Sequence, residues 1–563
     1  MQEGRKARIQ VLFTLGRKVL KKHGFLAIFL LLAVCSGLFA ATYRIKDYDF
    51  VVNGKTKQFV LQEVTGNPGV TFDSQKSFLE FLEDKRQEFF NMRVFHEVSY
   101  TYTTQQVAPD VLDAVVTFYL HDASTFLMVP YPKYDSNYGL SIKLKAKDNN
   151  LFGTFASMDA EMEYSQQNNS FKDGLADWEI SFEDIRLGKT KLSASQYGKI
   201  NLVNWKETAI GIGADVSDIM LGDFVSFNGG FSFVVAPGGS SKDSSWGVKK
   251  IGADFGVSFL NEKMYNSSAK TSVSYYPMGI RPHEEYGRLL HTSSSFSYHM
   301  NYGIYNTSIL STKNYPDKFD TIYSLRIGTG LSRAFSFFEK IKFIPSVMVY
   351  LDHTFPTEDV DPFFEVTLPF NYSEVNWEEN NFRKGLSFDL TGTDRFHFLF
   401  DNLRNYITVT GDISAYYPVT SWFNPSLRVN FVFANSLQDI NSEDDYSGYM
   451  RGIRNDNETI NAEREIGIAM NLDLMVNFIR INGFCSTYAI PFVDVFLGSD
   501  GQGGLDRLVT VGAEGIIILD SHPGYPIRGS LGFNAGDLVR WTKGDIDFSD
   551  VEYELFIGLY FFY

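Results

Sequence analysis

The feature that most constrains the fold is an alternation of apolar and polar residues, which begins near Tyr138 and recurs towards the end of the chain. In Thr208–Val216, isoleucine, alanine and valine occupy every second position. Similar segments are 138–146, 225–234, 251–259, 406–415, 427–433, 466–474 and 508–516. Because side chains of a strand alternate between its two faces, each segment predicts a strand with one apolar face.

Segments of about ten residues with this period, separated by turn residues, are typical of a transmembrane β-barrel. A soluble all-β protein shares the alternation and is the alternative. The aromatic content, 51 Phe and 31 Tyr in 563 residues, favours the barrel, whose girdles at the membrane surfaces are aromatic. We therefore predict that residues 131–563 form an all-β transmembrane barrel of about 16 antiparallel strands.

The first 41 residues have the pattern of a targeting segment. Seven basic residues between Arg5 and Lys22 precede the apolar stretch Phe25–Phe39, and Ala40-Ala41 offers a small-residue cleavage site. A membrane anchor is one alternative, although a helical span needs about 20 apolar residues. A lipoprotein is the other alternative, because Leu32-Ala-Val-Cys35 resembles a lipobox, although the branched Val34 stands where that motif has a small residue. We predict a signal peptide over residues 1–41.

Charge and cysteine content exclude several classes of function. Removal of residues 1–41 takes away seven basic residues and one acidic residue, which lowers the formal net charge from −16 to −22. Such an acidic chain is unsuited to binding nucleic acid. Cys485 is then the only cysteine, which excludes an internal disulfide and a multi-cysteine metal site. The acidic run Glu358–Asp361 is interpreted as a solvated loop, with a calcium site as the alternative.

Residues 42–130 predict a small α+β domain ahead of the barrel. A strand over 43–52 is followed by a short helix over 57–64. A second helix, capped near Asp73-Ser74, reaches Met92 with apolar residues at helical spacing. Two further strands are predicted over 96–102 and 112–120.

Charged residues interrupt the apolar pattern at two strands near the end of the chain. Asp473 and Asp494 stand within strand segments, and Arg451 stands beside Gly452 on a mostly polar loop. A carboxylate in such a strand is destabilising unless it is paired or reaches water. We predict that the loop folds into the barrel and that Arg451 pairs with Asp494. The alternative is a surface arginine and two lumen carboxylates that face water.

The chain ends with an apolar strand pattern in which Leu555, Ile557, Leu559, Phe561 and Tyr563 share one face. This ending resembles the C-terminal signal by which outer-membrane barrels are recognised for insertion, with Gly558, Phe561 and Tyr563 at the matching positions. Phe556 departs from the signal, since a polar residue is usual there.

Together these features resemble the BamA/TamA superfamily, whose members combine POTRA domains with an outer-membrane barrel. Met450-Arg-Gly-Ile453 is similar to the family's Val-Arg-Gly-aromatic loop tip, and Phe492-Val-Asp494 is similar to its Phe-x-Asp-x-Gly strand motif. Ile453 and Phe496 depart from the aromatic and the glycine of these motifs. Asp473 matches an acidic position of the family, Asn150–Gly153 its first hairpin turn, and Arg93-Val-Phe95 the end of the second POTRA helix.

The resemblance implies a POTRA-like periplasmic domain at 42–130 and a barrel in the outer membrane of a diderm bacterium. Arg451, Gly452, Asp494 and Asp473 would form a loop lock in the lumen. The implied function is outer-membrane protein assembly or insertion, or polypeptide translocation. Its implied partners are membrane lipid, unfolded outer-membrane or secreted polypeptides, and periplasmic accessory proteins. A passive outer-membrane channel or surface protein with a periplasmic domain is the alternative.

The mechanism implied by the family is templating at a strand edge. An edge formed by the first or second strand of the N-terminal domain would accept an incoming strand. A seam between 138–146 and 551–563 would admit that strand to the bilayer. The sequence contains no His-Glu-x-x-His, Gly-x-Ser-x-Gly or P-loop pattern. We therefore expect neither an enzyme nor a cofactor.

Overall fold

The computed structural model describes residues 42–558 except 109, 136–138, 168–169, 188–189, 223, 239–244, 262–264, 278–287, 301–302, 317–319, 338–339, 356–358, 379, 399–403, 436–448, 454–464 and 500–503. The predicted signal peptide, and Phe561 and Tyr563 of the predicted insertion signal, lie outside the described residues. Two compact units divide the chain between Asp122 and Ala123.

The N-terminal unit is a four-stranded sheet with two helices. Its elements are β1 (Thr42–Asn53), α1 (Gln58–Thr65), β2 (Thr71–Phe72), α2 (Gln75–Asn91), β3 (Phe95–Ala108) and β4 (Val111–Asp122). The strand order is β2-β1-β4-β3, with β1 parallel to β4. Ser74 caps α2 by accepting a hydrogen bond from the Ser77 amide at 3.2 Å. A small N-terminal α+β part, expected from the sequence, is thus confirmed.

The core of this unit lies between α2 and the sheet. Phe78, Leu82 and Phe89 recur at helical spacing on α2 and are fully buried. Phe89 packs edge-on against Phe118 of β4, with ring centroids 5.4 Å apart. The sheet leaves β3 as one edge, and β2 covers β1 only at Tyr43 and Arg44.

The second unit is one large antiparallel sheet of about 24 strands, which confirms the prediction of a mostly β structure. Its first half comprises β5 (Phe126–Asp135), β6 (Gly139–Leu151), β7 (Ala156–Gln167), β8 (Ser170–Leu187), β9 (Thr190–Asn201), β10 (Ala209–Leu221), β11 (Val225–Pro237), β12 (Trp246–Asn261), β13 (Tyr265–Tyr276), β14 (Leu289–Met300), β15 (Ile304–Tyr315) and β16 (Asp320–Ser332). Its second half comprises β17 (Phe335–Phe337), β18 (Ile341–Phe343), β19 (Ser346–Phe355), β20 (Asp359–Trp377), β21 (Arg383–His397), β22 (Arg404–Tyr416), β23 (Phe423–Ala434), β24 (Ile466–Ile481), β25 (Cys485–Ser499), β26 (Asp506–Leu519), β27 (His522–Asn534) and β28 (Tyr553–Gly558), with helix α3 (Ala535–Lys543) between the last two.

The predicted count of 16 strands is too low. Several strands in the middle of the sheet, such as β14, carry serine and threonine where the alternation expects apolar residues. Two more, β17 and β18, are only three residues long. The first kind of strand has too few apolar residues on one face to show a clear alternation, and the second kind is too short to show one.

The first strand of the sheet also differs from the expected one. The segment expected to begin the barrel, 138–146, lies in β6, whereas β5 precedes it and contains the predicted domain boundary at residue 130. The sequence pattern did not predict β5 because it contains Pro130 and Pro132, and proline within an apolar run argues against a strand interior. The expected seam between 138–146 and 551–563 is therefore replaced by one between β5 and β28.

The two faces of the large sheet differ in polarity. On β24–β28, the face that carries Arg528, Asp473 and Asp494 is called the inner face here. The outer face of these strands exposes apolar side chains, including Leu472, Val493, Val509, Ile517, Leu531 and Ile557. No helix among the described residues is long and apolar enough to cross a membrane.

Candidate functional site

The loop segment Tyr449–Ile453 lies against the inner face, and its arginine is fully buried. Arg451 donates to both carboxylate oxygens of Asp494, from Nε to Oδ2 at 2.9 Å and from Nη2 to Oδ1 at 2.7 Å. The Arg451 amide also donates to Oδ2 at 3.0 Å. Asp494 therefore fixes both the side chain and the backbone of the arginine, in the bidentate geometry that guanidinium and carboxylate favour.

Two more carboxylates complete the surroundings of the guanidinium. Arg451 Nη2 lies 2.6 Å from Asp473 Oδ1, and Nη1 lies 3.5 Å from Glu514 Oε2. The other oxygen of Glu514 lies 2.8 Å from Nε of Arg528 on β27. Two arginines and three carboxylates thus alternate across β24–β27, so most of the charge buried on the inner face is compensated.

An aromatic ring forms the floor of this cluster. The Arg451 guanidinium lies over the Phe492 ring, 3.8 Å from its centroid, in a cation–π contact. The ring fits because glycine occupies the adjoining positions on β26 and β27. A Cβ at Gly512 would lie 2.4 Å from Phe492 Cζ, and one at Gly532 would lie 3.0 Å from the same atom. The two glycines therefore make room for the ring beneath the arginine.

Gly452 is required where it stands for two reasons. Its φ is +81°, in the left-handed region, and a Cβ there would lie 2.5 Å from the Phe533 amide nitrogen. This close approach brings the loop backbone against β27. The Gly452 amide donates to Glu554 Oε2 on β28 at 2.9 Å, which ties the loop to the last described strand.

Apolar residues on either side of the Arg-Gly pair seat the loop on the sheet. Met450 and Ile453 are buried in one cluster with Val432, Ala469, Phe496 and Leu508. Ile453 and Phe496 are the two departures from the family motifs, and they meet in this cluster. A smaller residue on the loop thus accompanies a larger one on the strand, which keeps the combined volume of the contact similar.

Tyr449 holds the start of the segment. Its carbonyl accepts a hydrogen bond from Asn471 Nδ2 on β24, and its ring lies 4.4 Å from the Arg428 guanidinium on β23. Through these contacts, five loop residues reach every strand from β23 to β28. The segment therefore links the six strands β23–β28, the last of which borders the seam. We call Tyr449–Ile453 the loop brace.

Sequence reasoning identified Arg451, Gly452, Asp473 and Asp494, and the structure brings all four together. It missed Glu514, Arg528 and Glu554. Glu514 carries the same signal as Asp494, a single carboxylate at an inward position of an otherwise apolar strand. Arg528 stands on a strand where no alternation had been singled out, and Glu554 stands at the start of the C-terminal apolar pattern, so nothing in the sequence linked either residue to the loop.

The sheet returns to its first strand at a seam between β5 and β28. Within the described residues, β28 pairs with β5 only at Phe556 and Asp135, whereas β27 and β28 pair at six positions. Among the predicted insertion-signal residues, Gly558 ends β28 and leaves space for the Phe556 ring, which a Cβ would meet at 2.4 Å.

A group of hydrogen bonds fastens the start of β5 to β27 across the seam. The Ser124 amide donates to the Ser521 carbonyl at 3.1 Å, and Tyr525 Oη donates to the Thr125 carbonyl at 2.6 Å. His522 Nε2 lies 3.1 Å from the Phe126 carbonyl oxygen. We call these three bonds the seam latch. These bonds hold the seam directly at the end where β5 and β27 begin.

The charged groups of the Arg451 cluster are buried and engage one another. The cluster around Arg451 is closed to solvent, and every named group in it has a charged or hydrogen-bonding partner. In the part of the chain that the structure describes, no group of three or more His, Cys, Asp or Glu side chains is placed to hold a metal ion.

Among solved structures, the chain is similar to BamA from Haemophilus ducreyi lacking POTRA domains 1–3, at 12% identity over 92% of this chain and 84% of that one, with a TM-score of 0.29. It is also similar to CdiB from Acinetobacter baumannii, at 10% identity over 92% and 73% of the two chains, with a TM-score of 0.36. The ferric preacinetobactin receptor BauA of Acinetobacter baumannii matches at 8% identity over 80% and 81%, with a TM-score of 0.43. BamA and CdiB belong to the superfamily that the sequence resembles. No protein-family model and no curated protein matches the chain.

Proposed function

We propose that the second unit is an outer-membrane β-barrel that assembles other membrane proteins or moves polypeptides, by opening the seam between β5 and β28. The single observation that carries this proposal is the connection of the buried Arg451 cluster to the seam strand through Gly452 and Glu554. An inserted loop that only filled a lumen would not need a bond to that strand.

The outer face of the sheet supports a membrane location. Soluble proteins rarely expose large contiguous apolar surfaces. The exposed leucine, valine and isoleucine side chains of β24–β28 form such a surface beside polar and charged inner positions. This alternation matches strands with lipid on one side and a polar interior on the other.

The seam supports a role in admitting a polypeptide strand. In hydrocarbon, every backbone N–H and C=O needs an internal partner, so an unpaired strand edge is a place where another strand gains hydrogen bonds. The loop brace holds β23–β28 as a group, and the seam latch holds the start of β5. Opening then requires the latch to break, together with the pairing of β5 with β28 that is described at Phe556 and Asp135.

The N-terminal unit would deliver the strand. Its sheet has an edge at β3, with exposed residues over Thr103–Gln106, and a largely uncovered β1. Both are the edges that the POTRA resemblance assigns to strand addition. The chemistry would be non-covalent throughout, with unfolded polypeptides as substrates and periplasmic proteins as partners.

A passive channel remains the second candidate, and a polar recess on the inner face favours it. The recess has a volume of about 640 Å³ and is lined by residues that include Lys145, Asp159, Glu161, Glu179 and Lys199. Lys145 lies 3.2 Å from Glu161 across β6 and β7. Rows of opposite charges of this kind also line water-filled barrels.

A disulfide across the seam tests the proposal. Asp135→Cys with Phe556→Cys joins the two paired positions, and Ser373→Cys with Ser387→Cys joins paired positions of β20 and β21 as the matched control. Each variant replaces the native protein in cells, and the amounts of other outer-membrane proteins and of secreted polypeptides are measured under oxidising and reducing conditions.

If the seam opens in function, the oxidised seam pair lowers these amounts, reduction restores them, and the control pair has no effect. Unchanged amounts with a fully formed seam disulfide would exclude opening at this place. A large, steady single-channel conductance in planar bilayers, equal with and without the disulfide, would instead identify a passive channel.

A further inference from the structure

Strand β5 contains two prolines, yet its hydrogen-bonded ladder with β6 has no interruption. β5 pairs with β6 at every position from Phe126 to Asp135, including Pro130 with Leu144 and Pro132 with Ile142. In an antiparallel ladder, the N–H and C=O of one residue point to the same neighbouring strand, and the direction alternates along the chain. Because proline has no N–H, an unbroken ladder with β6 requires both prolines to point away from β6, towards the seam.

Pro491 on β25 shows the contrasting case in the same sheet. Its ladder with β26 is continuous through the pair Pro491–Ala513. Its ladder with β24 is interrupted between the pairs Asp473–Phe492 and Val476–Ala489, where Pro491 would have to donate. A proline that faces a neighbour thus removes pairing locally, and no such interruption occurs between β5 and β6.

A side-chain contact agrees with this orientation of β5. The Phe126 carbonyl, at a position of the same parity as the prolines, accepts from His522 of β27, which lies on the seam side. Five positions of β5 therefore face the seam: 126, 128, 130, 132 and 134. Two of the five have no N–H, and they are adjacent in the seam-facing row.

We propose that β5 is the non-accepting edge of the seam, and that a strand added from outside pairs with β28. This inference rests on the proposed opening of the seam. A strand laid along β5 would leave two of its carbonyls without donors opposite Pro130 and Pro132. Within the bilayer no water is present to donate to these two carbonyls, so pairing along β5 is disfavoured. β28 contains no proline over Tyr553–Gly558 and presents a donor and an acceptor at every edge position.

The described pairing between β5 and β28, at Asp135 and Phe556, involves neither proline. An edge blunted by proline is also protected from pairing with unrelated strands. When the latch breaks and the seam opens, β28 would then exchange its partner while β5 stays paired with β6.

Photocrosslinking with defined peptides tests which edge accepts a strand. A benzoylphenylalanine is placed at Met128 on β5 or at Ile557 on β28, both outward and exposed. The full chain in phospholipid vesicles is offered two fluorescent peptides, one with residues 551–563 and one with residues 139–151 of this chain. We expect the 139–151 peptide to crosslink at Ile557, and neither peptide to crosslink at Met128.

Restoring the missing donors provides the decisive comparison. Pro130→Val with Pro132→Val should raise crosslinking of the 551–563 peptide at Met128 at least several-fold. Pro369→Val, within β20, is the matched control and should change nothing. If the double variant fails to fold, Pro130→Val and Pro132→Val are tested separately. Each should increase crosslinking at Met128 by less than the double variant is expected to.

Two results would overturn the inference, and only the second would also overturn the proposed function. If the 551–563 peptide crosslinks at Met128 as strongly in the native chain as in the valine variant, the edge assignment is wrong while the seam still admits strands. If no peptide crosslinks at either position in any variant, the seam admits no strand and the proposed function fails as well.

Discussion

Gly452 and Glu554 join the loop brace to the last described strand through one hydrogen bond of 2.9 Å between amide and carboxylate. Glu554 directly precedes an apolar stretch, and Gly452 is the neighbour of the buried Arg451. The bond therefore makes the stability of the Arg451 cluster and the position of β28 interdependent.

Arg451→Ala should strongly destabilise the folded protein, because it leaves Asp494 and Asp473 buried without their cation. Removal of one partner of a buried pair typically costs about 3–5 kcal/mol. Arg326→Ala is the matched control: Arg326 also binds Asp352 through two bonds, but the pair is partly exposed, and such pairs contribute about 0–1 kcal/mol. Urea unfolding from detergent micelles measures both, and equal losses would contradict the buried-cluster interpretation.

Gly452→Ala should destabilise more than a glycine substitution at an open position. Gly483 has a similar φ of +75°, with no atom within 4 Å of its added Cβ. Gly483→Ala therefore carries only the left-handed backbone penalty, about 1–2 kcal/mol. Gly452→Ala adds the clash with β27 and loosens the bond to Glu554. The temperature at which each variant loses its folded electrophoretic mobility provides the comparison, and similar shifts would remove the close-approach argument.

Phe496 and Ile453 should show energetic coupling. Phe496→Gly leaves a cavity beneath the loop brace and should cost about 3–5 kcal/mol. Ile453→Phe alone overfills the cluster and should cost about 1–3 kcal/mol. Combined, the two changes restore volume, so the double variant should be more stable than the sum of the single effects predicts. A double-mutant cycle from unfolding curves measures this, and strict additivity would show that the two departures are unrelated.

Tyr525→Phe should loosen the seam without a large loss of stability. It removes the 2.6 Å bond from Tyr525 to the Thr125 carbonyl, a net effect of about 1 kcal/mol. Tyr488→Phe removes an equivalent bond to the Asn380 carbonyl at 2.7 Å, and Tyr488 lies on β25, which does not border the seam. In planar bilayers, only Tyr525→Phe should increase the frequency of current openings. Equal behaviour of the two variants would assign no special role to the seam latch.

Tyr48→Phe should stabilise the N-terminal unit and reduce its sensitivity to alkali. The Tyr48 hydroxyl is buried and finds no hydrogen-bond partner among the described residues, and burial raises the pKa of Tyr48 to about 12. Below the unfolded pKa of about 10 the hydroxyl is neutral in both states, and the stability does not depend on its ionisation. As the pH rises from 10 towards 12, the unfolded chain ionises more easily than the folded one, so the native protein loses stability.

Unfolding curves of the full chain between pH 8 and 12, monitored by a probe in residues 42–122, would show this difference. The native chain should lose stability in the upper part of this range, and the Tyr48→Phe variant should lose less. An identical pH dependence of the two proteins would mean that Tyr48 ionises normally when folded.

Local patterns were sufficient for the elements whose residues carry a strong period. The two helices and three main strands of the N-terminal unit lie at the expected places because their apolar spacing and the Ser74 cap are read from neighbouring residues. The strands around Asp473 and Asp494 were likewise visible, since a lone carboxylate in an apolar alternation is unusual. Strands rich in serine and threonine, or interrupted by proline as β5 is, give no such signal.

The sequence by itself determined that Arg451, Asp473 and Asp494 needed partners, because a charge within an apolar strand is costly unless it is compensated. Only the tertiary structure decided that Glu514, Arg528 and Glu554 join them, since these residues come from three later strands whose register brings them to one place. The tertiary structure also decided which neighbouring strand Pro130 and Pro132 face. Proline removes a donor wherever it stands, but the pairing of β5 with β6 determines that the missing donors lie at the seam.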